Sequence, residues 1–195
     1  GVNDYVTSGA TPIMTGLVNI TVAAWVYATI GSTKHLANRY YATTSDNGWL
    51  LSIDAAGKAN FGGRESGALF ISALGATTLT SGVWTHITGV KSGASWKVYV
   101  NGVEDGSTVA GNGTTAFGSN PLMLGAIPAF SLYYALNIDG IRIYKRALST
   151  QEIRTLAQRP GIAYERAPRK FYSLPAAAAS SRQYRLFRPA ILRGA

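Results

Sequence analysis

The chain has no cysteine among its 195 residues. That excludes a disulfide framework and any thiolate metal site. It suits the cytosol, or a particle assembled there, without excluding secretion. No apolar run reaches the roughly 18 residues a membrane-spanning helix needs. No signal-peptide pattern is visible, and Gly1 opens the chain in place of Met, which reads as processing, trimming or a fragment. The only two histidines, His35 and His86, are far apart and lack metal-ligand spacing. There is no Gly-x-Ser-x-Gly elbow and no P-loop. Gly62-Gly63 and Gly111-Asn112-Gly113 read as turns rather than phosphate cradles.

Acids are scarce too. Nine Asp and Glu face 18 Lys and Arg, for a net charge of +9. Glycoside hydrolysis needs two carboxylates on one bond. The nearest pair, Glu104-Asp105, follows a turn and would point apart on a strand, so both read as solvated turn acids. No catalytic residue is assigned and no enzyme is expected. Hard cations need several oxygen ligands, and these do not assemble here. Asp139 reads as orienting neighbouring backbone, and no metal or other cofactor, structural calcium included, is predicted.

Glycine, by contrast, is abundant, at 22 residues. Many glycines punctuating short apolar runs point to an all-β fold. The length suits one domain with an appendage. Residues 17–29 alternate, with Ile20, Val22, Ala24 and Val26 on one face. Strands are expected at 38–43 and 48–53, split by a polar turn at 45–48, and at 58–62, 84–90, 95–100, 121–125 and 137–144. In the last, Ile138, Gly140 and Arg142 should alternate with Asp139, Ile141 and Ile143. Trp84, His86 and Thr88 share a face, and Trp25, Trp84 and Tyr99 are expected in the core. Asn101-Gly102 between two β-rich runs predicts a type I′ hairpin. One helix is marked over 150–158. Ser149 and Glu152 form a capping box, Leu148 and Ile153 a hydrophobic staple, and Pro160-Gly161 ends it.

Beyond 158 the composition changes. Residues 159–195 hold eight Lys and Arg against Glu165, a charge of +7, whereas residues 1–158 carry only +2. The reading is therefore a sandwich at 1–158 and an extended basic arm at 159–195. Such an arm cannot bury enough surface to order itself. Arg and aromatics are enriched at interface cores, so a partner chain is expected to hold it through Tyr164, Arg166, Arg169, Lys170, Phe171, Tyr172, Tyr184, Arg185, Phe187 and Arg188. Binding of nucleic acid by the arm and folding back onto its own sandwich are the rival readings. The near-neutral body gives no electrostatic reason for nucleic acid.

The ordered set AAWVYA, GWLLSIDAAGK, SGVWTHITGV, WKVYVNGVEDG, PLMLGA and IDGIRIYKRALSTQEI resembles the laminin-G-like jelly roll of the concanavalin A-like lectin/glucanase superfamily. The resemblance covers roughly residues 18–156. It implies two packed antiparallel sheets of about a dozen strands, and a range of roles from sugar binding to adhesion to pure structure. It implies a packed, structural His86. Residues 1–6 resemble a strand that normally follows an earlier one, which this chain lacks or a partner supplies. The segment PGIAYERAPRK resembles the extension after such domains in proteins of tailed phages and prophages.

The expected function is a non-catalytic structural and attachment subunit of a phage virion: a capsid decoration, head-surface or tail-associated protein held by its arm. Its partners would be other chains of the assembly, a capsid protein among them, in a homo-oligomer. The alternative is a free, secreted carbohydrate-binding module. For surface glycans the candidates are Tyr40, Tyr41, Trp49, Arg64, Tyr133 and Tyr134, which equally suit packing or interface burial.

Overall fold

The computed structural model describes residues 5–10, 17–39, 48–65, 70–113, 121–127 and 132–163. These residues form fourteen strands and one α-helix, and every strand pairing is antiparallel. One sheet runs β1 (Val6–Ala10), β11 (Pro121–Leu124), β3 (Lys34–Asn38), β4 (Trp49–Ile53), β5 (Lys58–Arg64), β6 (Phe70–Thr78). The other runs β10 (Val109–Ala110), β8 (Ser95–Val100), β7 (Thr85–Ser92), β2 (Ile20–Ala28), β14 (Leu136–Tyr144), with β9 (Val103–Glu104) beside β8. A small hairpin joins β12 (Ala126–Ile127) to β13 (Leu132–Tyr133).

The core lies between the two sheets. Ile20, Val22 and Val26 of β2 meet Leu51 and Ile53 of β4, Phe61 of β5 and Trp96 of β8. Phe61 and Trp96 pack with ring centroids 5.2 Å apart and planes tilted by 43°. Alternate residues point to opposite faces of a strand, so this one apolar set fixes which side chains of the same strands must face outward.

The hairpin turn forms as predicted: Asn101 and Gly102 both have positive φ, at 49° and 84°. A side chain at Gly102 would also collide with the backbone of Arg154, its Cβ only 2.9 Å from that Cα. The helix α1 (Thr150–Gln158) carries both halves of the capping box between Ser149 and Glu152. It lies on the outer face of the second sheet, where Leu148, Ile153 and Leu156 pack on Ala23, Val90 and Tyr99. A 3-10 turn, Pro160–Ala163, follows.

Four expectations need correction. Gly62 and Gly63, read as a turn, lie within β5, paired with Leu50 and Trp49 of β4. The strand placed at 38–43 is β3 at Lys34–Asn38, and residues 40–47 lie outside the described residues. β6 was not foreseen: its Gly, Ala and Thr content and exposed edge blur the alternation. In β14 a bulge between Asp139 and Arg142 inserts an extra residue, with Gly140 at φ 57°. Such an insertion changes which residues share a face. Arg142 therefore shares Asp139's face, opposite to simple alternation.

Candidate functional site

Registers across β7, β2 and β14 generate the outer face of the second sheet row by row. Tyr27 stands opposite Asn137, and Trp84, one residue before β7, meets Tyr27 with ring centroids 5.8 Å apart. The next row is His86, Trp25 and Asp139, and the third is Thr88, Ala23 and Arg142. The fourth is Val90, Thr21 and Tyr144. The helix covers the last rows. Thr21 fastens it there: its hydroxyl donates to the Arg146 carbonyl and accepts from the Leu148 amide, both at 2.9 Å. Among the described residues, no element covers the first two rows. Trp84 is 45% exposed and Tyr27 39%.

The open rows mix rings with polar groups. Trp25 is half-buried, with its ring edge-on to His86 at 5.4 Å. Its Nε1 is enclosed and has no hydrogen-bond partner among the described residues. Asn137 and Asp139 are exposed, and one Asp139 oxygen accepts from the Gly140 amide at 2.6 Å. Arg142 donates to the Pro160 carbonyl at 2.7 Å, which ties the 3-10 turn to this face. His86 lies beneath, buried. Burial, and secondarily the nearby Arg142 charge, push its imidazole down to about 4. Its backbone exchanges bonds with Asn101: the amide donates to Oδ1 at 3.0 Å and the carbonyl accepts the Asn101 amide at 2.8 Å. His86 is thus structural, neutral at physiological pH.

The outer face of the first sheet is more polar. His35, Ser52 and Asn60 share one row, and Ser72 donates to Asn60 Oδ1 at 2.7 Å. Tyr134 meets His35 with ring centroids 5.3 Å apart, and Tyr133 meets Tyr5 at 5.8 Å. Burial pushes His35 down to about 4 and raises the Tyr134 hydroxyl. Arg64 ends β5 beside Phe70, on the far side of β4 from His35.

The glycan candidates therefore do not form one cluster. Tyr133 and Tyr134 gather near β3, and Arg64 stands apart. Trp49 is fully buried in the core with Leu51 and Ile53, so it presents no surface to a sugar. Tyr40 and Tyr41 lie outside the described residues, as do all ten arm residues from Tyr164 to Arg188. Trp25, expected in the core, is half-buried on the outer face, and Trp84, likewise expected in the core, is on the surface instead. It shares His86's face as anticipated, but that face points outward.

A second feature had no sequence signal. Glu65 and Lys91 are both fully buried and paired at 3.2 Å. The Glu65 carboxylate also accepts the Trp96 indole N–H at 3.0 Å and the backbone amides of Asn112 and Gly113. The Lys91 ammonium donates to the carbonyls of Val18 and Gly93. One buried pair thus stitches three loops to the core. Only its distant spacing in the chain hid it.

The remaining described carboxylates are also engaged. Asp54 accepts the Lys58 amide, Glu104 pairs with Lys97, and Glu152 holds Arg146 and the helix cap. The Arg146 and Ser149 bonds hold Glu152 down to about 2. Asp105 corrects the reading of a solvated turn acid: it is half-buried and accepts from the Thr77 amide and hydroxyl, tying the hairpin to β6. Among the described residues no three His, Asp or Glu gather to hold a metal ion, and no helix is long and apolar enough to cross a membrane.

No curated protein matches the chain. Among solved structures it is similar to the native heptameric SAP-like pentraxin from Limulus polyphemus, at 16% identity and TM-score 0.56, over 78% of this chain and 80% of that one. It is similar also to the botulinum neurotoxin serotype G binding domain, at 15% identity and TM-score 0.65, over 83% of this chain and 41% of that one. A third is the binding domain of Paraclostridial Mosquitocidal Protein 1, at 16% identity and TM-score 0.62, over 80% of this chain and 41% of that one. The chain thus spans about two fifths of either toxin domain. At such identities the likeness is one of fold. Residues 1–154 match the family described as the concanavalin A-like lectin/glucanases superfamily, so the chain is a laminin-G-like member of that superfamily.

Proposed function

We propose that this chain is a non-catalytic attachment protein, a lectin-like sandwich on display, anchored to a larger assembly by residues 159–195. The assembly its pattern suits is a tailed-phage virion, at the capsid surface or the tail. The observation that carries the non-catalytic reading is the engagement of the carboxylates: each of the six described acids serves the fold, through an amide, a lysine or a helix cap. A glycosidase needs two that face a substrate bond. Support for attachment comes from charge, since the last 37 residues hold +7 of the total +9. Self-assembly is part of the reading, and one fold neighbour is named as a heptamer. Deleting residues 164–195 tests it: the truncated protein should keep its β circular dichroism yet fail to co-purify with particles. Normal incorporation would refute the anchor.

A second reading, a free extracellular carbohydrate-binding module, is favoured by the exposed Tyr27–Trp84 pair and by fold neighbours named as binding domains. A glycan array probed with the full chain separates it from pure structural display.

A further inference from the structure

We propose that the open rows on the outer face of the second sheet form a subsite for one neutral pyranose ring, set by Trp84, Tyr27, Trp25, Asn137 and Asp139, with Arg142 of the third row at its margin. The inference rests on the binding reading above and gives that reading a location and a ligand class.

The exposed aromatic area is on the scale of one small ligand. Aromatic side chains offer about 200 Å² each when free. At 45% and 39% exposure the Trp84 and Tyr27 rings present roughly 170 Å² between them. A stable protein interface needs about 800 Å² on each side. A patch this small matches the apolar face of a single sugar ring. The ring geometry points the same way. Trp84 and Tyr27 are inclined at 50°, so they form a shallow V and not a flat track. A V holds one terminal ring, whereas an extended glucan chain would need coplanar rings in sequence.

The polar groups set the charge class. Asn137 offers both a donor and an acceptor beside Tyr27. Asp139 stands beside Trp25, where one oxygen is held by the Gly140 amide. The bulge returns Arg142 to this same face. A carboxylate disfavours an anionic sugar and a guanidinium disfavours a cationic one. Hydroxyl groups of a neutral ring satisfy both. His86, neutral and buried beneath Trp25, adds no charge to the balance.

The test uses the full chain with methyl β-D-glucopyranoside, methyl β-D-galactopyranoside and N-acetylglucosamine, followed by ligand-observed NMR. At least one should bind in roughly the millimolar range. Trp84→Ala should weaken it about tenfold or more, Trp84→Phe by about threefold or less, and Asn137→Ala in between. Binding unchanged by Trp84→Ala would overturn the subsite while leaving a sugar-binding sandwich intact. Binding of N-acetylneuraminic acid in preference, lost in Arg142→Ala, would overturn the neutral class. Trp84-dependent dimerisation in sedimentation would show that a second copy covers the face, and would overturn it also. Absence of binding by all three probes would overturn the subsite, with the anchor still judged separately by particle incorporation.

Discussion

The outer face of one sheet is treated in two opposite ways. Where β2 presents Thr21 and Ala23, small side chains leave room for α1, and the face is closed by Leu148, Ile153 and Leu156. Where the same strand presents Trp25 and Tyr27, large rings stand up, no described element lies over them, and polar residues flank them. The strands are shared, and so is the core behind them. Residue size on alternate positions therefore separates a packing surface from a contact surface within about four residues of strand, or roughly 13 Å.

Five changes would break or sharpen that contrast. The largest should collapse both halves together: Lys91→Ala strands the buried Glu65 carboxylate, and breaking such a pair costs roughly 3–5 kcal/mol. Urea denaturation of the purified protein reads it directly. Next, Ile153→Ala should damage the closed half, by about 2–5 kcal/mol for a fully buried side chain. Amide exchange in α1 should rise first, while the Trp84 environment, followed by fluorescence, stays as it was.

Acid should act through the floor of the open half. His86 is held down to about 4 in the folded protein, against 6.5 when unfolded. Its lowered value means that stability is complete above about pH 6.5 and is lost as pH falls towards 4, by roughly 2–3 kcal/mol. The group facing it is Arg142, which adds to the same effect. His35, equally depressed, contributes on the other sheet. His86→Gln should flatten the pH dependence of the urea midpoint between pH 7 and 5, and an unchanged slope would refute this. Ser149→Ala removes the cap from a nine-residue helix and should cost about 1 kcal/mol. Trp84→Ala should be the mildest, within about 0.5 kcal/mol, because the ring is a surface group. A melting temperature that drops sharply in this variant would mean that the ring packs rather than binds.

Much of this arrangement was readable beforehand. The period-2 pattern at 20–26, the Asn101-Gly102 turn and the Ser149/Glu152 cap are local signals, carried by residues within a few positions of one another, and each has its place in the fold. What escaped was set by distance. Alternation assigns Trp84 and His86 to one face but does not say whether the face is inner or outer; that depends on which set meets Phe61 and Trp96 across the core. The same ambiguity put Trp49 on the surface, when its register with Leu51 and Ile53 takes it inside. Gly140 within a strand was a bulge signal, and reading it so would have moved Arg142 to the correct side. Glu65 and Lys91 meet across 26 positions with no periodic or compositional mark. The glycan candidates were chosen by residue type alone, which is why only part of them shares a neighbourhood.

The most direct test of a sandwich that binds through its open rows is the behaviour of its four tryptophans. Their indole N–H signals in two-dimensional NMR, assigned by single Trp→Phe changes, report two buried rings, Trp49 and Trp96, and two outward ones, Trp25 and Trp84. On titration with the bound methyl glycoside, the Trp84 and Trp25 signals should move together while those of Trp49 and Trp96 stay fixed. Saturable binding that leaves Trp84 and Trp25 unmoved would contradict the account.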